Sequence, residues 1–395
     1  MAKNLKVLNL TKCRKLRRTP DFSAHKNLEK LILQGCEELV HADRSIGKLK
    51  HLVLLNLKGC RKLRRLPDEM GDLGALTEIL VDDTSITNIP EWKGMKKLET
   101  LSANSCTSLS IFNLAGRVTS LVNIRLVCTR ITELPFGNFG ALAELDISWS
   151  RIRELPNSIE KMKNLRVLRM CHSRLVKLPS ALGMLEKLEE INADGCRNLQ
   201  GEIPSEIGRL SFLRILRLMD ARISKVPKLP ENLSFLLKLR ELVLVGKNLA
   251  CLPMLPQNLS CLTINGGLME KSIDLSYLEK LSELEVCDCE HLTEIQGLEH
   301  LKNLKRLRLY HLPSLVKLPD LTNLKKLWEL WISDCPKLVE IQGQLESLKE
   351  LRLMFCESLE KLPDSLSFKN MGYLVIDGCP KLKEIQGLED SENLE

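Results

Sequence analysis

The sequence carries 14 cysteines and 7 histidines, enough sulfur and imidazole to raise metal and nucleophile chemistry first. Their densest grouping is "CDCEH", where Cys287, Cys289 and His291 offer the donors that zinc favours. A closed zinc site needs a fourth ligand, and none stands close by. Cys289 falls at the ninth position of its unit while Cys287 points outward from the strand, so the two thiols diverge. No metal is expected there. "NGGLMEKS" at 265–272 resembles a phosphate loop but lacks the second glycine before its lysine. Neither G-x-S-x-G nor H-E-x-x-H occurs, and the histidines (25, 41, 51, 172, 291, 300 and 311) are dispersed. The expectation is a non-enzyme with no catalytic residues, no metal and no cofactor. One basic motif remains, "CRKLRR", at residues 13–18 and again at 60–65. A nucleic-acid surface would interleave such charges with aromatics, yet Phe22 is the lone aromatic of the first 70 residues. No nucleic-acid partner is expected.

The elements that position these residues follow from a period. "LKVLNLTKC" (5–13), "LEKLILQGC" (28–36) and "LVLLNLKGC" (52–60) share L-x-x-L-x-L, and the pattern runs on to Met371 as about 17 repeats of about 23 residues. That period lies within the range of leucine-rich repeats, roughly 20–29 residues. The fold class expected is α/β: a leucine-rich-repeat solenoid, a curved horseshoe with a parallel concave sheet. In each unit a short strand alternates, so Leu8 and Leu10 point inward while Val7, Asn9 and Thr11 point outward. The chain then returns on the convex side through a turn and a short helical or 3₁₀ segment. Residues 1–387 read as one solenoid and 388–395 as an incomplete terminal repeat.

The ninth position of the unit sets the turn. Where it is Cys, the next buried residue comes three later, as in Cys60–Leu63, Cys106–Leu109 and Cys335–Leu338. Where it is Thr, Ser or Ala, the step is two, as in Thr84–Ile86, Thr129–Ile131 and Ser150–Ile152. An apolar–Pro pair follows in ten units, including Leu66-Pro67, Leu134-Pro135 and Leu155-Pro156. Proline lacks an N–H, so it suits a descending loop. Three units near the C-terminus use "EIQG" instead (294–297, 340–343 and 384–387). Nine cysteines (13, 36, 60, 106, 196, 289, 335, 356 and 379) occupy the ninth position. There a small thiol is expected to be largely buried and to donate to backbone carbonyls left open at the strand end. The two "CRKLRR" copies lie two repeats apart, so Cys13 and Cys60 are repeat scaffolding, Leu16 and Leu63 face the core, and the basic residues are laid over them.

Net charge is +7, but residues 1–70 hold 17 Lys/Arg against 7 Asp/Glu, so the excess is concentrated there. No secretory signal opens "MAKNLKVLNL" and no window is apolar enough to span a membrane. Reduced thiols, no membrane partner and a cytoplasmic location, with the nucleus as a second option, are expected. The sequons at Asn9, Asn232 and Asn258 are then chance matches.

"LNLKGCRKLRRLPDEMGDL" and "LDISWSRIRELPNSIEKMKNLRVL" resemble the repeats of plant intracellular nucleotide-binding immune receptors, in particular those with a Toll/interleukin-receptor-like domain. The resemblance covers residues 5–387. It implies a protein-recognition module that binds a pathogen effector or host protein and contributes to autoinhibition in disease resistance. It also implies that the N-terminal end docks on a nucleotide-binding module, in cis or in trans. The chain has no such module, and the resemblance makes it a segment of a longer receptor or a truncated relative. Two other readings are an extracellular receptor ectodomain and a substrate-recruiting adaptor of a ubiquitin ligase. The first would carry L-x-G-x-I-P in most units, and only "LQGEIPSEIG" at 199–208 matches. The second would have longer units, about 26 residues, without Leu-Pro.

Two surfaces stand out as partner sites. Arg14, Lys15, Arg17, Arg18, Arg61, Lys62, Arg64 and Arg65 would form a basic docking edge. On the concave side, Arg308, Trp331 and Arg352 fall in one row, which would let each guanidinium stack on a face of the indole. Tyr310 and Met354 lie in the next row, and His311 and Phe355 in the turn beyond. Trp149 with His172 makes a second concave candidate. Inward Leu168 should matter for stability, outward Arg169 little, and Trp331 should contribute little to the core.

Overall fold

A computed structural model describes residues 4–114, 118–134, 139–200, 203–218, 231–245, 249, 251–363, 366 and 371–385. Pro135, Gln386, Gly387 and the expected terminal repeat at 388–395 lie outside these. Contacts divide the chain into two compact units, Met1–Leu199 and Gln200–Glu395. Each is a stack of coils, and each coil of the described residues gives one strand to the long parallel row.

In the first unit the strands Val7–Asn9, Lys30–Ile32, Leu54–Asn56, Glu78–Leu80, Thr100–Ser102, Asn123–Arg125, Glu144–Asp146, Val167–Arg169 and Glu190–Asn192 pair in sequence order, all parallel. Their central residues align in one inward row, from Leu31 through Leu55, Leu101 and Leu168 to Ile191, each buried at 0% exposure. In the second unit Ile215–Leu218, Glu241–Val245, Cys261–Asn265, Glu283–Cys287, Arg306–Tyr310, Glu329–Ser333, Glu350–Met354 and Tyr373–Asp377 do the same. All but the four-residue Ile215–Leu218 have five residues, and all but Tyr373–Asp377 bury two or three side chains each.

The return path is 3₁₀ rather than α, because a coil of about 23 residues leaves one tight turn between its proline and the next strand. Pro67, Pro156, Pro179 and Pro204 each stand immediately before a five-residue 3₁₀ segment. Its fixed φ and missing N–H suit that place. "EIQG" departs from the loop expectation. Glu294–Gln296 pairs with Ser272–Asp274 as a small two-stranded ribbon. Gly297 follows at φ 82, where a Cβ would come within 2.3 Å of the Ser276 backbone nitrogen. Only glycine fits that approach.

The ninth position is a column of buried hydrogen-bonding side chains. Cys36, Cys60, Cys106 and Cys196 donate to carbonyls of the preceding coil at 3.0–3.2 Å. Thr84 and Thr129 donate within their own turn at 2.8 and 2.9 Å, which explains the shorter step. Cys13 corrects the expectation: it is exposed, and Leu16 is only half-buried, because the outermost coil packs on one neighbour. Phe22 is 1% exposed, so the one aromatic of the basic segment belongs to the core. Arg169, an outward residue, bridges two coils. It holds Glu190 through Nε and Nη2 at 2.7 and 2.9 Å and Glu144 through Nη1 at 3.0 Å, neutralising two carboxylates one coil to either side.

Candidate functional site

The second unit presents the residues expected to bind. Alternation buries Leu307, Leu309, Leu330, Ile332, Leu351 and Leu353 and turns their neighbours outward. Parallel register then aligns Glu285, Arg308, Trp331, Arg352 and Val375 in one row. The next row holds Cys287, Tyr310, Ser333, Met354 and Asp377.

Within this frame Arg352 is clamped. Its guanidinium carbon lies 4.6 Å from the Trp331 ring centroid and 4.6 Å from that of Tyr373. Its Nε is 2.6 Å from a carboxylate oxygen of Glu350. Tyr310 meets the indole edge-on, centroids 4.9 Å apart at 77°. Arg308 corrects the expected sandwich. It does not stack on Trp331; Glu329 draws its Nε to 2.5 Å and Glu285 stands 3.8 Å from its other arm. That hydrogen bond to Glu329, with the nearby carboxylates, raises the guanidinium pKa. Glu329, at 3% exposure, is a buried carboxylate that Arg308 neutralises. Burial pushes the Tyr310 hydroxyl up, so it stays protonated and able to donate at neutral pH.

Two atoms of this cluster have unused capacity. The Trp331 indole N–H is buried without a hydrogen-bond partner. Arg352 meets Glu350 off the line of its N–H, which leaves that donor unsatisfied as well. Tyr373 and Glu350 were missed in the sequence. The signal for Tyr373 is a diagonal across adjacent strands, one row off from the Arg352 partner Val375.

The remaining candidates lie at the strand ends. His311, Asp334 and Phe355 follow their strands at φ 50–53, in left-handed turns. Phe355 is 48% exposed. His311 Nδ1 is 3.7 Å from Asp334. A shallow groove of about 400 Å³ opens there, with Asp288, Glu290, Asp334 and Glu357 around His311 and Phe355. Trp149 and His172 stack at 4.0 Å and 21°. They occupy the same left-handed position in the first unit, so they form a rim rather than part of the strand rows.

All eight residues of the basic edge are exposed. Three are bridged between coils: Arg14 to Glu37 at 3.4 Å, Arg61 to Asp83 at 2.9 Å and Lys62 to Glu38 at 2.6 Å. Among the described residues Lys15, Arg17, Arg18, Arg64 and Arg65 make no ion pair within 4.0 Å. Cys287 and Cys289 point to different carbonyls, those of Ile264 and Cys287 itself.

No protein-family profile matches the chain. Disease resistance-like protein DSC1 of Arabidopsis thaliana is 26% identical over 206 residues, 50% of this chain and 15% of that protein. A putative disease resistance protein of the same plant is 25% identical over 206 residues, 50% of this chain and 17% of its own length. The chain thus spans under a fifth of either relative. Among solved structures, the Arabidopsis receptor kinase HAESA in complex with the peptide hormone IDA and the co-receptor SERK1 superposes with a TM-score of 0.66 at 21% identity, covering 95% of this chain and 66% of that one. The plant peptide hormone receptor RGFR1 in complex with RGF2 gives 0.64 at 20%, covering 91% and 68%. The coils are leucine-rich repeats. About half of the chain is similar in sequence to parts of these disease resistance proteins, and its fold is shared with the receptor structures. Among the described residues no helix is long and apolar enough to cross a membrane.

Proposed function

We propose that the chain is the protein-recognition module of an intracellular innate immune receptor, a disease-resistance protein of the Toll/interleukin-receptor-domain subgroup, that binds a pathogen effector or a host protein. The observation that carries the reading is the clamped Arg352. A guanidinium held between two rings has lost its rotamer freedom before any ligand arrives, and Trp, Tyr and Arg are the residues that anchor interfaces. Similarity to disease resistance proteins supports the biological setting. In this reading the unpaired arginines of the basic edge dock on the receptor's nucleotide-binding module and contribute to autoinhibition.

Proximity labelling of the tagged protein in infected leaf tissue would supply partners, and calorimetry with each purified partner would test the site. Trp331→Ala and Arg352→Met should each weaken a genuine partner by about 30-fold, on the order of 2 kcal/mol. A partner whose affinity both variants leave unchanged binds elsewhere, and the assignment fails. Charge reversal at Arg17, Arg18, Arg64 and Arg65 should loosen autoinhibition in a salt-dependent way. Unchanged autoinhibition would remove the docking role.

A further inference from the structure

The first unit holds a second surface that the reading above does not use. Three successive coils present Cys128, Trp149 and His172 at the left-handed turn position, with φ 58, 59 and 53. Their backbones are tied coil to coil: Cys128 donates to Ser148 at 2.9 Å, Trp149 to Cys171 at 2.6 Å and His172 to Asp194 at 2.7 Å. Two residues beyond each stands an arginine: Arg130, Arg151 and Arg174. The residues between, Thr129, Ser150 and Ser173, are each 4% exposed and fix the turns from inside. The three arginines therefore form an exposed column, one coil apart, roughly 5 Å per step.

The column is unneutralised. Among the described residues none of the three makes an ion pair or a side-chain hydrogen bond, whereas the strands of the same coils pair every arginine. Arg125 meets Glu144 at 3.0 Å, and Arg169 meets Glu144 and Glu190. Like charges stacked at this spacing repel one another, and a carboxylate partner removes the repulsion. Alongside lies an aromatic platform. Trp149 is 55% exposed although one face is stacked on His172, and the far side of His172 is closed by Gly195, where a Cβ would fall 2.2 Å from the ring. A bulky side chain in a left-handed turn works against backbone preference, which marks the position for its surface role.

We propose that this rim docks an acidic segment of a partner protein, carboxylates on Arg130, Arg151 and Arg174 and one apolar side chain against the exposed part of the Trp149 ring. A single exposed indole suits one side chain. Single-stranded nucleic acid would use successive ring faces for successive bases, and the rest of this turn row in the first unit is Lys12, Gly35, Gly59, Asp83, Ser105, Cys128 and Gly195. The surface belongs to the first unit and its loss is read separately from that of Trp331.

The test uses the full chain and a fluorescein-labelled peptide, Glu-Glu-Leu-Glu-Glu with neutral flanks, followed by anisotropy at low and at physiological salt. The wild type should bind, and Arg130→Glu/Arg151→Glu/Arg174→Glu should weaken binding at least about tenfold and flatten its salt dependence. Trp149→Ala should weaken binding by about tenfold with the salt dependence kept, and Trp331→Ala should change nothing. Trp149→Phe, which keeps a ring on His172, should retain most of the affinity and guards against a folding defect in the alanine variant. The idea is overturned if the wild type does not bind the peptide or the charge reversal leaves affinity intact. It is also overturned if a glutamine version of the peptide binds as well, or if an oligothymidylate binds the column more tightly than the peptide does.

Discussion

Removing the Trp331 ring and the Arg352 guanidinium separately and together gives the sharpest measure of whether the clamp exists in solution. Each ring lies 4.6 Å from the guanidinium carbon, and the Arg352 side chain is 30% exposed, so the contacts are partly desolvated. A cation–π contact in such a setting contributes about 1 kcal/mol. Trp331→Ala also loses the edge-on contact with Tyr310, about 0.5–1.5 kcal/mol. The single substitution should therefore cost about 1–3 kcal/mol. That is more than the near-zero cost expected for a ring outside the leucine core, because the structure packs this ring on two sides. Arg352→Met keeps the aliphatic stem and removes the charge. It also removes the Glu350 ion pair, which at this exposure contributes about 0–1 kcal/mol. Urea unfolding of the wild type, both singles and the double variant gives a coupling energy, which should be about 1 kcal/mol. Raising salt should shrink the Glu350 contribution and leave the ring coupling largely intact. A coupling indistinguishable from zero at low salt would mean that Arg352 is not held between the rings, and the case for a preorganised anchor would collapse with it.

Leu168→Ala removes a fully buried side chain and should cost about 2–5 kcal/mol in urea denaturation; a loss under 1 kcal/mol (about a single methylene) would contradict the tight inward row. Arg169→Ala should cost about 1 kcal/mol, since it leaves Glu144 and Glu190 without their shared cation; a neutral effect in low salt would show that network to be idle. Gly297→Ala should destabilise by at least about 1 kcal/mol, through both its positive φ and the approach to Ser276. Burial pushes the Cys60 and Cys356 thiols from near 9 up to about 12, so they stay neutral in the fold while the unfolded chain ionises them sooner. Their contribution is complete below about pH 9 and is lost as pH rises towards 12, so the urea midpoint should fall on going from neutral to about pH 10.5. A flat profile over that range would refute the burial of those thiols.

The repeat was legible because one inward leucine row and one ninth-position column recur at a fixed period, and each unit alone repeats the instruction. The strand rows were legible for the same reason: once register is fixed by Leu307, Leu330 and Leu351, the outward neighbours Arg308, Trp331 and Arg352 must align. What period cannot say is which neighbour a long flexible side chain chooses. Arg308 turned to Glu329 because a buried carboxylate attracts it more strongly than a ring face does. Arg352 lacked such a partner on the next strand and folded between Trp331 and the diagonal Tyr373. Cys13 was misjudged for a different reason. Its burial depends on a neighbouring coil and not on its own unit. Trp149 and His172, a concave candidate in the sequence, belong to the left-handed turn, a position set by φ that residue type does not announce for tryptophan.

The coil-to-coil hydrogen bonds have a mechanical consequence. Within either unit each strand lies across the stacking direction and is tied to the next by a few backbone bonds, such as Leu33 to Asn56 at 2.8 Å and Gly35 to Lys58 at 2.7 Å. A pull along the stack loads these bonds in sequence, like the teeth of a zip, and not all at once as in a sheared sheet. A tethered chain drawn from its ends should yield at low force and lengthen coil by coil, taking up slack gradually. One abrupt, high-force rupture in an optical trap would show that the coils share load in a way this ladder does not provide. A recognition surface built on such a spring can give slightly under a bound partner while its inward leucines stay in place.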